Sequence, residues 1–376
     1  VMNTIEQPAT PIYLNTGYVV DHLTGSVGPE FSCDGIAVGR AIHTTTLLDD
    51  GRIVVIGGYN GASLNDAFSL NPGTDTATCS AVTATMATPR SQHTATPLGN
   101  GKVLVTGGWV NGTTGPTSSA ELFDPATNSF APVDNAMSEP RNTHTATLLA
   151  DGRVLVAAGF GQGINASADL YNSASNSFSA TGPMAQARAA HRALLLQDGR
   201  VMLTGGNSGG TGNALASTEM YDPATGQFSA GPVMNAARQW HAMAMLPDGS
   251  GRVLLAGGNN DANPHWNNQV NYLNSAEIYD PAIGQISAAP SMSTYRSMAG
   301  AASLSTGEVV LVGGYLGAAN GFPGSEYYGA DQTDTDKDGI GDACDVSGSP
   351  VITVADITLP ETELGGTAVT DVGVQA

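Results

Sequence analysis

The chain of 376 residues carries 33 acidic against 13 basic side chains, a formal net charge of −20. It therefore lacks the basic footprint that nucleic-acid phosphates require, and no apolar run reaches membrane-spanning length, so no transmembrane segment is expected. Only 12% of residues are charged and 48 are glycine; helix formers are sparse, and Gly, Ser, Thr and Asn recur every few residues, which suits many short strands joined by turns.

In chain order, the opening VMNTIEQPAT has neither a basic n-region nor an apolar h-region, so a leader peptide is expected to have been removed or never to have existed. From Val19 to Pro29, VVDHLTGSVGP has the pattern of an outer strand with a turn at Asp21. Three cysteines, Cys33, Cys79 and Cys344, allow at most one internal disulfide. Cys33 and Cys79 precede His43 and His93 by ten and fourteen residues. Both are read as lying in connections that enter neighbouring first strands, so they are expected to pair, leaving Cys344 free or bonded to a partner.

An internal repeat begins at Arg40. RAIHTTTLLDDGRIVVIGG is followed by RSQHTATPLGNGKVLVTGG from Arg90 and RNTHTATLLADGRVLVAAG from Arg141. RAAHRALLLQDGRVMLTGG from Arg188 and RQWHAMAMLPDGSGRVLLAGG from Arg238 continue the series. The sixth copy, RSMAGAASLSTGEVVLVGG from Arg296, has Ala299 where the others have His43, His93, His144, His191 and His241. Copies are spaced by 47 to 58 residues. Each predicts a strand, a polar DGR-type turn and a second apolar strand ending at Gly-Gly or Ala-Gly. A downstream segment such as AELFDPATNSF predicts two further strands around a DPATG turn. One four-stranded unit cannot cover both of its faces, whereas units packed radially cover each other.

The repeat length, the Gly-Gly pair and the aromatic strand downstream resemble the kelch repeat. That resemblance covers about residues 12 to 330 and implies an all-β, six-bladed β-propeller within residues 1–330. The sixth copy ends with its third strand near Gly324, so residues 1–30 are expected to supply its fourth, through Val19–Pro29, and to close the ring.

Residues 331–345, DQTDTDKDGIGDACD, hold six aspartates and one basic residue. Carboxylates at Asp334, Asp336, Asp338, Asp342 and Asp345, with the Ile340 carbonyl, follow calcium-loop spacing, and Gly339 sits where the chain must turn. No helices flank it as a sensor would need. The stretch resembles a thrombospondin type 3 repeat, which implies structural calcium in an extracellular or cell-surface protein. An acidic linker is the bland alternative. Residues 346–376 contain two strand-like runs and resemble the opening of a hyalin-repeat or immunoglobulin-like domain. Two strands make no stable sandwich, so this tail is a truncated domain or pairs with another chain.

Blade topology puts Arg40, Arg90, Arg141, Arg188, Arg238 and Arg296 on one face, near the histidines and the loops after Gly-Gly. This ring reads either as an anion or carboxylated-glycan site or as structural pairing with the recurring third-strand acids Glu121, Asp169, Glu219, Glu277 and Glu326. The histidines read as ligands or as inter-blade locks bonding a neighbouring backbone. The fifth loop, with His265, Trp266, Asn267, Asn268 and Tyr272, offers aromatics flanked by amides, a set suited to sugar rings, or simply packs on the next blade. RQWHAMAMLPDG also resembles the copper-ligand stretch of galactose oxidase-like enzymes, with Trp240 in the tyrosine slot. Two classes remain: a non-enzymatic module binding protein or glycan, and a carbohydrate-directed or copper-radical oxidase.

Overall fold

A computed structural model describes residues 16–17, 31–33, 39–71, 77–111, 115–209, 214–260, 271–304, 307–314 and 325–329. The calcium-loop candidates Asp334 to Asp345, the tail, and His265, Trp266, Asn267 and Asn268 lie outside these residues. So does the closing strand expected at Val19–Pro29.

The described residues form a six-bladed, all-β propeller. Blade 3 is representative: Thr145–Leu148, Val154–Ala157, Ala168–Asn172 and Ser177–Ala180 pair antiparallel in sequence order. Blades 1, 2, 4 and 5 repeat this order, starting at Thr44–Leu47, Thr94–Pro97, Arg192–Leu195 and Ala242–Met245. Blade 6 has three described strands, Gly300–Ser303, Glu308–Val312 and Ser325–Gly329.

Second strands hold the packing together. Ile53–Ile56, Val103–Thr106, Val154–Ala157, Val201–Thr204 and Val253–Ala256 are buried at all four positions. A sheet with one wet face would alternate; these strands are apolar throughout because neighbouring blades cover both faces. Leu104 and Ala120 of blade 2 thus meet Val154, Val156 and Tyr171 of blade 3. Met202 and Met220 of blade 4 meet Val253, Leu255 and Tyr279 of blade 5. Fully burying one such side chain contributes about 1.5–3 kcal/mol.

The turns follow local chemistry. In the DGR turn, Asp50 Oδ1 accepts from Arg52 N at 3.0 Å and Oδ2 from Arg52 Nε at 2.8 Å. In the DPATG-type turns the left-handed position falls to Asn128, Asn176, Gly226 or Gly284, with φ of 47° to 68°, the residue types that tolerate it best.

Thr16–Gly17 pairs antiparallel with Phe31–Ser32. Directly after it, Cys33 forms a disulfide with Cys79, Cα atoms 5.5 Å apart. The expected pairing is present, but its setting differs. Cys79 lies within the outermost strand of blade 1, opposite Leu70, and not in a connection. Cys33 is buried against Val55 and Phe68.

Candidate functional site

The segment entering each blade and the loop leaving its second strand meet at one end of the propeller. Ser91 N donates to Trp109 O at 3.1 Å and Trp109 N to Ser91 O at 2.7 Å. Asn142 and Phe160, Ala189 and Asn207, and Gln239 and Asn259 pair likewise. Gly-Gly makes this approach possible. A Cβ on Gly205, at φ +60°, would lie 2.2 Å from Arg238 O, the carbonyl to which Gly206 N donates at 2.9 Å.

The six arginines lie beneath this end, buried and committed to partners. Arg90, Arg141, Arg188 and Arg238 are fully buried, and their Nη2 atoms lie 2.6–2.9 Å from Glu121, Asp169, Glu219 and Glu277. Arg296 bonds Glu326 at 2.6 Å. The acids belong to the blade that the arginine enters, so the pairs are not inter-blade bridges as expected. Each carboxylate also takes amides of the incoming connection: Glu219 accepts from Ala185 N at 2.8 Å and Gln186 N at 3.0 Å. Arg40 departs from the pattern. The acid slot of its blade holds Phe68, whose ring centroid lies 5.2 Å from the guanidinium, and the carboxylate comes from Asp66, at 2.6 Å. Burial pulls the pKa values of Arg90, Arg141, Arg188 and Arg296 down; the paired carboxylates push them back.

The histidines lock adjacent blades through side-chain hydroxyls, not the backbone. His93 Nε2 lies 3.0 Å from Thr44 Oγ1 of the preceding blade. His144 Nε2 lies 3.0 Å from both Thr94 and Thr106 Oγ1. His191 Nε2 lies 2.8 Å from Thr145 Oγ1, and His241 Nε2 2.8 Å from Thr204 Oγ1. The absence of a sixth histidine has a partner-based cause. Positions equivalent to Thr94 and Thr106 in blade 5 are Ala242 and Ala256, without hydroxyls, and Ala299 packs with them in one apolar cluster. Burial lowers the pKa of His43 to about 4 and of His93 to about 3, with a nearby arginine adding to both shifts. The same causes hold His144, His191 and His241 well below the usual range.

A feature not foreseen from the sequence lies just above. Ile42, Gln92, Thr143, Ala190, Trp240 and Met298 all have φ between 48° and 60°. Gln92 N donates to Ile42 O at 3.2 Å, Thr143 N to Gln92 O at 3.2 Å, and Ala190 N to Thr143 O at 3.0 Å. Trp240 N to Ala190 O at 3.0 Å and Met298 N to Trp240 O at 2.8 Å continue a backbone belt from blade 1 to blade 6. A left-handed conformation costs an L-residue about 1–2 kcal/mol, a cost offset by these inter-blade bonds. The six side chains share nothing, so position was the sole signal.

Of the fifth-loop candidates, Tyr272 is described: half-buried and bridged to Asn259. Among the described residues, no three His, Cys, Asp or Glu side chains come together as a metal site. A cavity of about 350 Å³ lies between the DGR-type turns of blades 1 and 2, lined by Asp50, Arg52, Lys102 and Asp124 among others.

The family described as KLHDC2/KLHL20/DRC7 Kelch-repeats domain matches residues 9–206, more than half of the sequence. The chain belongs to this kelch-repeat family. The repeats continue beyond the matched region through blades 5 and 6. Among solved structures, the kelch propeller is similar to YjhT, with TM-score 0.61 and 14% identity over 76% of this chain and 93% of that one. It is also similar to a fungal alcohol oxidase of the AA5 family in complex with copper, with TM-score 0.69 and 18% identity over 86% of this chain and 69% of that one. Both likenesses establish the fold alone. No curated protein matches.

Proposed function

We propose that this kelch propeller is a non-enzymatic binding and assembly module, extracellular or at a cell surface, that offers its loop-bearing end to a protein or glycan. The observation that carries the reading is His241. It is the best copper-ligand candidate in the sequence, yet it is fully buried and its Nε2 is held by Thr204 at 2.8 Å. Trp240 beside it serves the backbone belt. The repeated arginines and histidines hold blades together, which leaves ligand choice to loops that differ from blade to blade. This is the usual division between scaffold and function.

In this reading calcium at Asp334, Asp336, Asp338, Ile340, Asp342 and Asp345 stiffens the joint to the tail, and residues 346–376 contact a second copy or a larger partner. The aspartate spacing supports the first expectation; the strand-like tail, which cannot form a core alone, supports the second.

The competing oxidase is tested directly. The chain is loaded with Cu(II) and assayed for peroxide formation on galactose and simple alcohols, beside a glycan array and light scattering. Glycan binding or tail-dependent assembly without turnover supports the module. Copper-dependent turnover lost in His241→Ala overturns it.

A further inference from the structure

The two ends of the propeller differ in charge. The DGR-type and DPATG-type turns carry Asp50, Arg52, Lys102, Asp124, Asp151 and Arg153, among others. The loops following second strands, 59–66, 109–119, 160–167, 207–217, 259–275 and 315–324, contain no Lys or Arg and two acids, Asp66 and Asp261. Asp66 is bonded to Arg40. In a chain of net charge −20, this end is built of amides, hydroxyls, glycines and aromatics.

Two large aromatics are exposed there on adjacent blades, Trp109 at 38% and Phe160 at 39%. Trp109 is held firmly. Its short strand Trp109–Val110 pairs with Gly115–Pro116, and a Cβ on Gly115 would lie 3.4 Å from Trp109 Cζ3. Backbone thus supports one side of the ring. Phe160 is fixed by its mutual backbone bonds with Asn142, both 2.9 Å. Between the two aromatics runs an amide bridge: Asn142 Nδ2 donates to Gln92 Oε1 at 2.5 Å, and Gln92 follows Ser91, the backbone partner of Trp109. Asn142 is 5% exposed, and its Oδ1 accepts from no group among the described residues. A buried acceptor left unbonded is costly, and a ligand hydroxyl would satisfy it.

We propose that blades 2 and 3 form a subsite for a neutral oligosaccharide. The C–H faces of its pyranose rings stack on Trp109 and Phe160, and a ring hydroxyl donates to Asn142 Oδ1. The near absence of cationic side chains disfavours anionic sugars, and the unbonded acceptor selects a hydroxyl donor. This inference rests on the binding-module reading, but places the ligand away from the fifth loop.

The test is an array of neutral and anionic glycans probed with the whole chain. Titrations of a neutral hit follow with Trp109→Ala, Phe160→Ala and Trp266→Ala. Circular dichroism checks each fold, and Asn142→Asp serves as a variant that retains the side-chain shape. Neutral glycans bind in the expected result. Trp109→Ala and Phe160→Ala each weaken binding about tenfold, Asn142→Asp alters it, and Trp266→Ala leaves it unchanged. Binding lost only in Trp266→Ala overturns the subsite and leaves the module reading standing. An array that captures no neutral glycan overturns the subsite whatever protein partner the module has.

Discussion

Replacing Glu219 by leucine tests the buried arginine network at its most enclosed. Arg188 and Glu219 side chains are 0% and 4% exposed. Glu219 Oε1 accepts from Arg188 Nη2 at 2.9 Å and from Gln186 N at 3.0 Å; Oε2 accepts from Ala185 N at 2.8 Å. Glu219→Leu leaves a buried guanidinium uncompensated, which costs about 3–5 kcal/mol. Two amides also lose their acceptor, at about 1 kcal/mol or more each where water cannot reach them. The expected loss is about 4–6 kcal/mol, read from urea unfolding followed by circular dichroism. Arg188→Met with Glu219→Leu removes the stranded charge and should cost less than Glu219→Leu alone. As a control, Asp198→Asn breaks the exposed pair with Arg200, whose side chains are 45% and 43% exposed, and should cost under about 1 kcal/mol. A loss below about 1 kcal/mol for Glu219→Leu, or equal losses for both pairs, would refute the assignment of these arginines to structure.

The histidines make stability depend on pH. Their folded pKa values are depressed, to about 3 for His93 and about 4 for His43. The neutral form therefore favours the fold above the unfolded value near 6.5, and stability is lost as pH falls from there toward the folded values. Each contributes about 1.4 kcal/mol per pH unit; denaturation midpoints between about pH 7 and pH 5 should fall steeply, and His144→Gln should flatten the slope. Ala299→His inserts an imidazole against Ala242 and Ala256 and should destabilise by about 2 kcal/mol or more, partly rescued by Ala256→Thr in thermal melts. Opening the Cys33–Cys79 disulfide, whose cysteines are 46 residues apart, by paired serine substitution should cost roughly 4 kcal/mol in the same urea assay. Calorimetry should detect calcium binding that Asp338→Asn weakens, and chelation should leave the propeller's circular dichroism nearly unchanged; unfolding of the whole chain on chelation would place the loop in the propeller core.

The propeller is readable in the sequence because its repeated residues answer backbone demands. Gly205 and Gly206 repeat since a Cβ would strike Arg238 O, and the apolar second strands repeat since both faces are covered. The arginine and acid slots could be read as pairs, but not which blade each acid served. The partner of Arg40 escaped altogether, because Phe68 occupies the acid slot and Asp66 lies outside it. The histidine partners were legible only in part. Thr44, Thr94 and Thr145 follow histidines in the sequence, yet receive the histidine of the next blade, and Arg192 breaks the series so that Thr204 takes over. The backbone belt has no sequence signature, since Ile42, Gln92, Thr143, Ala190, Trp240 and Met298 share a conformation and no chemistry. Trp109 and Phe160 passed unnoticed because the denser fifth loop drew attention, and only the fold sets them beside Asn142.

The central claim is that the repeated polar residues serve the fold and the loops serve recognition. NMR of the histidine imidazoles, followed from about pH 7.5 to about pH 5, tests it most directly. The account expects His93, His144, His191 and His241 to remain neutral throughout. An ordinary titration near pH 6.5 by His241, with its resonance broadened by added Cu(II), would contradict it and return that histidine to the list of ligands.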